Sequence, residues 1–365
     1  MTDSQRRSTI RAGVAVAVAV VSVVAAVVVV SMQDVPVEQP SDIQAMTPTF
    51  SEETTSTQAM AGPILDPKWQ IESETVYGRD FAEFRSPAAN LQFDSSVTGV
   101  IDAGDVLVTA AGLPNPRSYS VDSIELVAID AEGGDVRWKK SPGSVDQCAS
   151  EPMGNDIVCL DSYSDVPSIV RIGVDDGEAR RTPIPEAWFP YAIESDGQSV
   201  FLLEGNPEDG ESVFHGGSPD ALDRMWSRPI TSFAGWDGVE GPLIHVSDGR
   251  GLVTLGGEAT FFDPQTGAPL EGLELISDTT VVDAGGADVW TLRDPYSSET
   301  TVGNTAYSFE ENALVATTES DDVRWRWPLP ERSDGFTESG SIVETASGVF
   351  FLGTDSMVRL ESLPT

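Results

Sequence analysis

The stretch that decides the fold is Ala128-Ile-Asp130-Ala-Glu-Gly-Gly134-Asp-Val-Arg-Trp138, which fits the pattern A-x-D-x-x-x-G-x-x-x-W at every fixed position. Asp130 is placed to cap a tight turn through the backbone that follows it. Gly134 supplies the positive φ that such a turn requires. Ala128 suits a packed strand with little free volume, and Trp138 has the area to fill a gap between neighbouring sheets.

A turn followed by a short β-branched or aromatic run recurs six times outside this stretch, at steps of 37 to 60 residues. No long segment holds the 3.6-residue period of an amphipathic helix. Short strands punctuated by turns at such a spacing are typical of a β-propeller. A seventh repeat within residues 77–93, with Phe81, Phe84 and Phe93 as apolar anchors, stays open. The six instances are 104–108, 155–159, 197–202, 248–253, 286–290 and 347–351.

The eleven-residue stretch resembles the tryptophan-docking repeat of the quinoprotein-like (PQQ-like) β-propellers, a family that includes the BamB-type assembly lipoproteins. Other repeats keep only parts of the motif. Residues 262–267 keep the Asp and the Gly but have Glu271 at the Trp position, and residues 174–177 keep the Gly but have Arg181 there. The resemblance covers about residues 66–365 and implies an all-β domain, a six- to eight-bladed PQQ-like propeller.

The two ends of this domain complement each other. The last repeat, 341–364, has three strand-like runs and no Trp strand, whereas residues 67–72, around Trp69, look like an isolated outer strand. Joining the two would complete one sheet and remove its open edge. We therefore expect the strand of Trp69 to close the ring.

A membrane-spanning helix is predicted before the propeller. Residues 12–32 are 21 uncharged residues, mostly Val and Ala, which is long enough for a hydrocarbon core of about 30 Å. Arg6, Arg7 and Arg11 precede the segment and Asp34 follows it, which places the N-terminus in the cytoplasm. The alternative is a cleaved signal peptide, but its apolar region is shorter and ends in an A-x-A-like site. We expect an uncleaved anchor.

Four segments follow from these patterns. They are a cytoplasmic tail at 1–11, a transmembrane signal anchor in the lipid bilayer at 12–32, a disordered stalk at 33–63 and an extracytoplasmic propeller at 64–365. The stalk carries Pro36, Pro40 and Pro48 and shows no apolar period, as flexible linkers do. The expected location is the cell membrane, with a single pass and the C-terminal domain outside.

Acidic residues dominate the chain. It has 59 Asp and Glu against 21 Lys and Arg, a net charge of −38, and after residue 32 the ratio is 58 to 18, a net charge of −40. Phosphate binding needs clustered basic residues. The charge therefore argues against a nucleic-acid partner and against docking of the domain on anionic lipid.

Cys148 and Cys159 are the only cysteines, and they flank a turn-like segment at 151–155. A disulfide is allowed outside the membrane, and we predict one here; the alternative is two buried free thiols. Several PQQ dehydrogenases of the family use an adjacent Cys pair at the cofactor, whereas these two cysteines are eleven residues apart. The resemblance therefore implies no cofactor for this chain.

No catalytic, cofactor-binding or metal-binding residue is predicted. His215 and His245 are the only histidines, and neither has a second His at ligand spacing. Acidic turns at 175–176 and 206–210 lack the spacing of a calcium loop and are expected to be solvated turns.

Aromatic residues offer the only candidates for binding. Trp188, Phe189, Tyr191 and Trp236 lie in segments expected to be loops at the top of the blades. Such side chains act as contact anchors for a partner, or they pack between blades. Both interpretations stay open.

The leading functional prediction is a non-catalytic scaffold that binds an envelope protein, a polymer or a ligand. The alternative is an enzyme, either a degenerate quinoprotein-type oxidoreductase or a hydrolase that uses acids in the central funnel. A ligand-sensing ectodomain is a third possibility, but a tail of 11 residues has no room for an output domain.

Overall fold

The structure is a computed structural model that describes residues 62–89, 97–115, 121–186, 188–206, 211–231, 242–255, 258–277, 279–292, 299–310, 312–330 and 340–361. The chain divides into two units, Met1–Gln58 and Ala59–Thr365, and these residues all belong to the second. The predicted tail, the predicted anchor and the stalk up to residue 61 lie outside the described residues. Among the helices within the described ranges, none has the length and apolar character to cross a bilayer.

Within the described residues the strands form seven antiparallel sheets, numbered here in chain order. Sheet 1 contains β2 (Glu83–Arg85), β3 (Ile101–Asp102), β4 (Val106–Pro114), β5 (Val121–Asp130) and β6 (Val136–Lys140). Sheet 2 contains β7 (Gln147–Cys148), β8 (Asp156–Asp161), β9 (Ser168–Gly173) and β10 (Ala179–Pro183). Sheet 3 contains β11 (Pro190–Ser195), β12 (Val200–Asn206), β13 (Glu211–Gly217) and β14 (Trp226–Thr231).

Among the later sheets, sheets 4 and 5 have three strands each and sheets 6 and 7 have four. Sheet 4 contains β15 (Leu243–Ser247), β16 (Arg250–Leu255) and β17 (Glu258–Phe262), and sheet 5 contains β18 (Leu273–Ser277), β19 (Thr280–Asp283) and β20 (Asp288–Thr291). Sheet 6 contains β21 (Glu299–Val302), β22 (Thr305–Glu310), β23 (Ala313–Thr318) and β24 (Val323–Pro328). Sheet 7 contains β25 (Gly340–Thr345), β26 (Gly348–Gly353), β27 (Ser356–Glu361) and, from the start of the domain, β1 (Trp69–Glu72). Two short helices, α1 (Ser73–Tyr77) and a 3-10 turn (Leu222–Arg224), complete the described elements.

Within the described residues, neighbouring sheets pack face to face at six junctions. Core clusters lie between sheets 1 and 2, 2 and 3, 3 and 4, 4 and 5, 6 and 7, and 7 and 1. Strands β8 and β26 are buried at every position, because both faces of their sheets are covered by neighbouring sheets. The first strands of neighbouring sheets, such as β7 and β11, approach one another and so line the centre. This is a β-propeller, and the predicted all-β fold is confirmed.

The two ends of the domain meet in sheet 7. Strand β1 pairs antiparallel with β27, with Trp69 opposite Arg359. The backbone N–H of Lys68 extends this pairing by donating to the Arg359 carbonyl (2.9 Å). The Arg359 guanidinium in turn reaches Glu132 in sheet 1 (2.6 Å). Residues from both ends of the domain therefore build the last sheet and its junction with the first.

Five of the six sequence repeats lead into the second strand of a sheet, and the sixth does not. Residues 286–290 lead into β20, the third strand of sheet 5, rather than a second strand. The second strand of sheet 6 is β22, which follows a turn at Gly303 that is not among the six repeats. Residues 83–85 form the first strand of sheet 1, so the described part of 77–93 is no separate repeat. A turn followed by an apolar run marks any hairpin, and the local pattern does not say which strand of a sheet it precedes.

One contact recurs between neighbouring sheets. In each case a Trp lies on the outer strand of one sheet. Its ring N–H donates a hydrogen bond to a backbone carbonyl of the neighbouring sheet. That carbonyl lies at the start of the hairpin turn that follows the neighbouring sheet's third strand. The three instances are Trp69 to Ala131 (3.2 Å), Trp138 to Val174 (2.6 Å) and Trp226 to Pro264 (3.3 Å). In sheet 6 the ring N–H of Trp325 donates instead to the side chain of Glu361 (3.4 Å).

The same turns each end in a glycine on which the Trp ring lies. Asp130 shapes the first turn as predicted from its sequence position, by accepting the backbone N–H of Gly133 (2.7 Å). A Cβ at the three glycines would stand 2.5 to 2.8 Å from the ring, and each glycine has φ between +65° and +78°. Both the ring and the backbone therefore require glycine there. The residues are Gly134 under Trp69, Gly177 under Trp138 and Gly267 under Trp226.

Alanine substitution separates these two requirements. Gly104 has φ +84° with nothing within 4 Å of an added Cβ, whereas Gly177 has φ +69° and the Trp138 ring at 2.8 Å. Gly104→Ala should lower the free energy of unfolding by about 1–2 kcal/mol, the cost of a left-handed L-residue. Gly177→Ala should cost about 1–3 kcal/mol more, because Trp138 must move. Urea unfolding of both variants measures the difference, and equal losses would contradict the docking role of Trp138.

Strand β1 should be required for closure. A chain that begins at Ala59 keeps β1, whereas one that begins at Thr75 leaves the edge of β27 open and removes the Trp69 ring from sheet 1. The lost hydrogen bonds and burial should together reach several kcal/mol, a large part of a domain's stability. Thermal unfolding should show a cooperative transition for the first chain and a much lower one, or aggregation, for the second. Equal melting temperatures would rule out closure by β1.

Candidate binding face

Two loops at one edge of sheets 2 and 3 carry exposed apolar side chains. Tyr163 (61% exposed) and Val166 (56%) lie in the loop that joins β8 to β9, and Phe189 (66%) lies in the connection from β10 to β11. The half-buried Tyr191 follows on β11. We call these four residues the aromatic patch. Large exposed side chains grouped in this way mark interaction sites more often than single ones do.

A buried carboxylate shapes the first of these loops. Asp161, at the end of β8, accepts the backbone N–H (3.2 Å) and the hydroxyl (2.8 Å) of Ser164. Arg181 binds the same carboxylate and also donates to the Pro142 carbonyl (2.9 Å). The backbone N–H of Ile184 then donates to the Pro167 carbonyl (2.8 Å). The two patch loops are thereby tied to each other and to the end of sheet 2.

Arg181 occupies the position at which the repeat pattern places Trp, and its side chain stays on its own sheet. The gap towards sheet 3 is filled from the following connection instead. Trp188 packs into the core between sheets 2 and 3 and stacks on His215, with ring centroids 3.8 Å apart and 15° between the planes. Because Trp188 turns inward, Phe189 points outward, and its carbonyl accepts the Gly205 N–H (3.2 Å).

The predicted contact residues thus differ in placement. Phe189 is exposed, Trp188 is half-buried between sheets, and Tyr191 lies on a strand rather than in a loop. Trp236 lies outside the described residues. Sequence reasoning missed Tyr163 and Val166, although the segment 162–167 sets two apolar residues among turn formers between two strands, which is a detectable signal.

His215 belongs to a buried polar chain beneath the patch. Its Nδ1 lies 2.8 Å from the hydroxyl of Ser227, its cross-strand partner, whereas its Nε2 lies 3.3 Å from Glu204 Oε1 without forming a hydrogen bond. Burial lowers the pKa of His215 to about 4 and raises the pKa of Glu204. Burial also lowers the pKa of His245. At neutral pH both imidazoles are uncharged and weakly basic, so His215 is better suited to packing between strands than to proton abstraction.

Asp146 brings a negative charge to the patch. It lies in the connection from β6 to β7, and Ser162 donates its backbone N–H to Asp146 Oδ2 (2.5 Å). Burial, together with the nearby charge of Asp161, raises the pKa of Asp146 to about 6. Burial likewise raises the pKa of the Tyr163 hydroxyl, with additional effects from the charges of Asp146 and Tyr191. Because Tyr163 directly follows Ser162, the hydrogen bond from Ser162 places the Asp146 carboxylate at the base of the loop that carries Tyr163.

The predicted disulfide is present. Cys148 on β7 and Cys159 on β8 are bonded and stand opposite each other in the ladder. Both lie in the core between sheets 1 and 2. The bond therefore fastens the short innermost strand of sheet 2, which begins directly after Asp146, to the longer second strand.

Three carboxylates gather at the other end of the innermost strands, on sheets 1 to 3. Glu194, near the end of β11, accepts the backbone N–H groups of Ser150 and Ser195 on Oε1 (2.8 Å each). Burial nevertheless raises the pKa of Glu194 to about 7. Burial also raises the pKa of Glu151, with a further effect from the charge of Asp102. A carboxyl group that titrates near neutrality is suited to proton transfer.

In the part of the chain that the structure describes, no group of three or more His, Cys, Asp or Glu side chains is arranged to hold a metal ion. The acidic turn at 175–176 uses its carboxylates locally. Asp175 accepts the Asn155 amide (2.7 Å), and Asp176 accepts the Glu178 N–H (2.9 Å). The acidic segment 207–210 lies outside the described residues.

Comparison with known proteins yields no family. No protein-family model matches the chain, and no curated protein matches it. Solved structures do match at low identity. The β-propeller domain of the Trilobed protease from Pyrococcus furiosus is 9% identical, with 74% of this chain and 95% of that chain covered and a TM-score of 0.43. The AfRom2 CNH domain is 10% identical, with 77% and 100% covered and a TM-score of 0.41.

A third match is TolB from Acinetobacter baumannii, which is 13% identical, with 63% of this chain and 64% of that chain covered and a TM-score of 0.35. At these identities and TM-scores, none of the three carries an argument about the activity of this chain. The propeller assignment therefore rests on the sheets, their packing order and the closing strand.

Glu194 should make stability depend on pH. Its pKa is about 7 in the folded chain against an ordinary 4.5, so the folded state holds this proton more tightly than the unfolded state. The stabilisation is complete below about pH 4.5 and is lost as the pH rises through about 7, on the order of 3 kcal/mol in total. Glu194→Gln keeps an acceptor for both N–H groups and does not titrate. Relative to the variant, the wild type should lose stability between pH 5 and pH 8 in urea unfolding; parallel profiles would contradict the assignment.

Proposed function

We propose that this protein is a non-catalytic binding scaffold of the cell envelope, which holds a protein or ligand partner on the propeller. The observation that carries the proposal is the aromatic patch, where Tyr163, Val166 and Phe189 are each more than half exposed at the junction of two sheets. The loops that present them are fixed by hydrogen bonds to the buried Asp161 carboxylate and by the stacking of Trp188 on His215. A preformed apolar surface binds at a lower entropic cost than a flexible one.

The PQQ-like character of the propeller and its blade number belong to the same proposal. Three Trp residues dock on glycines of the following sheet, in the geometry that the resemblance implies for the repeat. The seven sheets of the described residues support seven blades.

Membrane anchoring is also part of the proposal. It is supported by the uncharged segment 12–32 and by the three arginines that precede it. An extracytoplasmic location agrees with the Cys148–Cys159 disulfide, because such bonds persist mainly in oxidising compartments.

An enzyme remains the second candidate, and the carboxyl group of Glu194 is the observation that favours it. A pKa near 7 suits a general acid, and Glu151 and Asp102 lie nearby. A hydrolase would use this acid end of the innermost strands rather than the aromatic patch. A quinoprotein-type oxidoreductase is less favoured, because the adjacent Cys pair used by several such enzymes has no equivalent in Cys148 and Cys159. These two cysteines are eleven residues apart and are bonded across β7 and β8.

Photo-crosslinking in cells tests the scaffold function. A benzoylphenylalanine replaces Phe189 in one strain and Phe81, which is equally exposed at 66%, in a control strain. Irradiation should give a discrete adduct in the membrane fraction from position 189 and none from position 81, because only the patch contacts a partner. Phe189→Asp in a chain that carries the crosslinker at Val166 should abolish the adduct. Equal yields at 189 and 81, or none at either, would contradict the proposal.

A further inference from the structure

We propose that the aromatic patch takes a basic side chain, Lys or Arg, from a peptide segment of a protein partner, held against Tyr163 and Tyr191 with its charge on the Asp146 carboxylate. This inference rests on the proposed binding function and names the chemistry of the partner. It follows from three features of the described residues: the charge around the patch, the position of Asp146 and the nature of the exposed rings.

The charge around the patch is negative. Asp165 and Glu186 are exposed in the two patch loops. Arg181, the basic residue that lies nearest in the hydrogen-bond network, is already bound to Asp161 and to the Pro142 carbonyl. The chain as a whole carries a net charge of −38. Complementary charge steers and selects a partner, so a basic segment fits this face and an acidic one does not.

Asp146 is the carboxylate placed to receive the cation. Among the residues that the structure describes, no Lys, Arg or His forms an ion pair with Asp146, whereas its neighbour Asp161 is neutralised by Arg181. Ser162 donates an N–H to Asp146 Oδ2 and holds the carboxylate beside the loop that carries Tyr163. A half-buried carboxylate without a counter-ion is available for a charge-assisted hydrogen bond from an incoming cation.

The exposed rings complete the recognition surface. An ammonium or guanidinium group is attracted to the face of an aromatic ring. Tyr163 directly follows Ser162, whose backbone N–H binds Asp146, and Tyr191 is near enough to influence the pKa of Tyr163. Phe189 and Val166 offer apolar area next to this group, which matches the aliphatic stem of Lys or Arg or an apolar neighbour in the peptide. A ring and a carboxylate at one position are therefore suited to a long basic side chain.

Binding should require the ionised form of Asp146. Burial raises the pKa of that carboxyl to about 6, so it is largely neutral at pH 5 and ionised above pH 7. A cation binds the ionised form, and affinity should fall as the pH falls through about 6. The charged and titratable groups on the elements packed around Asp146 are Asp161 on β8, Tyr163 and Asp165 in the β8–β9 loop, Arg181 on β10 and Tyr191 on β11.

The test begins with a phage-displayed library of random peptides, about 12 residues long, selected on the purified full-length protein. Selected peptides should be enriched in Lys or Arg next to aliphatic or aromatic residues. The dissociation constant of the best peptide, followed by fluorescence anisotropy, should rise at least about tenfold in Asp146→Asn and in Tyr163→Ala at neutral pH. Tyr163→Phe should retain most of the affinity, because the ring remains. Asp146→Asn keeps the acceptor for Ser162, and its melting temperature checks that the fold is intact.

Control variants and conditions sharpen the result. Ile276→Ala, on sheet 5, matches Val166→Ala in exposure (57% against 56%) and should leave the affinity unchanged. Raising the salt from about 50 to about 500 mM should weaken binding to the wild type far more than to Asp146→Asn. Between pH 7 and pH 5 the wild type should lose affinity and approach the Asp146→Asn variant, whose own affinity should stay nearly constant.

The outcomes separate this inference from the function on which it rests. Peptides that depend on Phe189 but carry no basic residue, or that bind Asp146→Asn as tightly as the wild type, overturn the basic-partner inference and leave the binding scaffold standing. Recovery of no peptide that depends on the patch also overturns it. If the crosslinking at position 189 fails as well, the scaffold function falls with it.

Discussion

The docking of a Trp ring on the glycine turn of the next sheet is the interaction on which the rest of the structure depends. A four-stranded sheet with both faces apolar cannot be stable alone, because each face must be covered by a neighbour. Trp138 covers the edge of that junction and orients it, since its ring N–H reaches one carbonyl, Val174, and its face meets Gly177. Repetition of this contact by Trp69 and Trp226 sets the spacing of successive sheets, and the contact of Trp69 also joins the first sheet to the last.

The candidate binding face arises where this contact is missing. At sheet 2 the outer strand carries Arg181 instead of Trp, and the guanidinium binds Asp161 on its own sheet. The junction with sheet 3 is then filled by Trp188 from the connecting segment, stacked on His215. One substitution in the repeat therefore has two consequences: the β8–β9 loop is fixed through Asp161, and the following connection is drawn inward at Trp188 so that Phe189 faces solvent.

Burial of acids gives this strongly acidic chain its distinctive electrostatics. Most carboxylates of the described residues lie at least partly at the surface, but Asp146 and Glu194 are held where desolvation raises their pKa to about 6 and about 7. Backbone N–H groups satisfy part of their hydrogen-bonding capacity without neutralising them. Desolvation opposes ionisation by an amount that backbone donors offset only in part, so each carboxyl group is sensitive to a cation or a proton that arrives nearby.

The sequence by itself determined the fold class, the docking motif and the disulfide. Short β-branched and aromatic runs between turn residues specify strands, and Asp130 and Gly134 specify a turn, because both depend on neighbours along the chain. Trp138 completes a motif whose spacing is also read along the chain, although its ring docks on the next sheet. The isolated strand at Trp69 also indicated its partner. The last repeat lacks its outer strand, and the strand at Trp69 is the one that can complete it. The tertiary structure decided the rest. The placement of the strands in sheets 5 and 6, the inward turn of Trp188 and the grouping of Tyr163 with Asp146 and Tyr191 depend on which sheets become neighbours, and residues that meet only across a sheet junction leave no periodic trace in the chain.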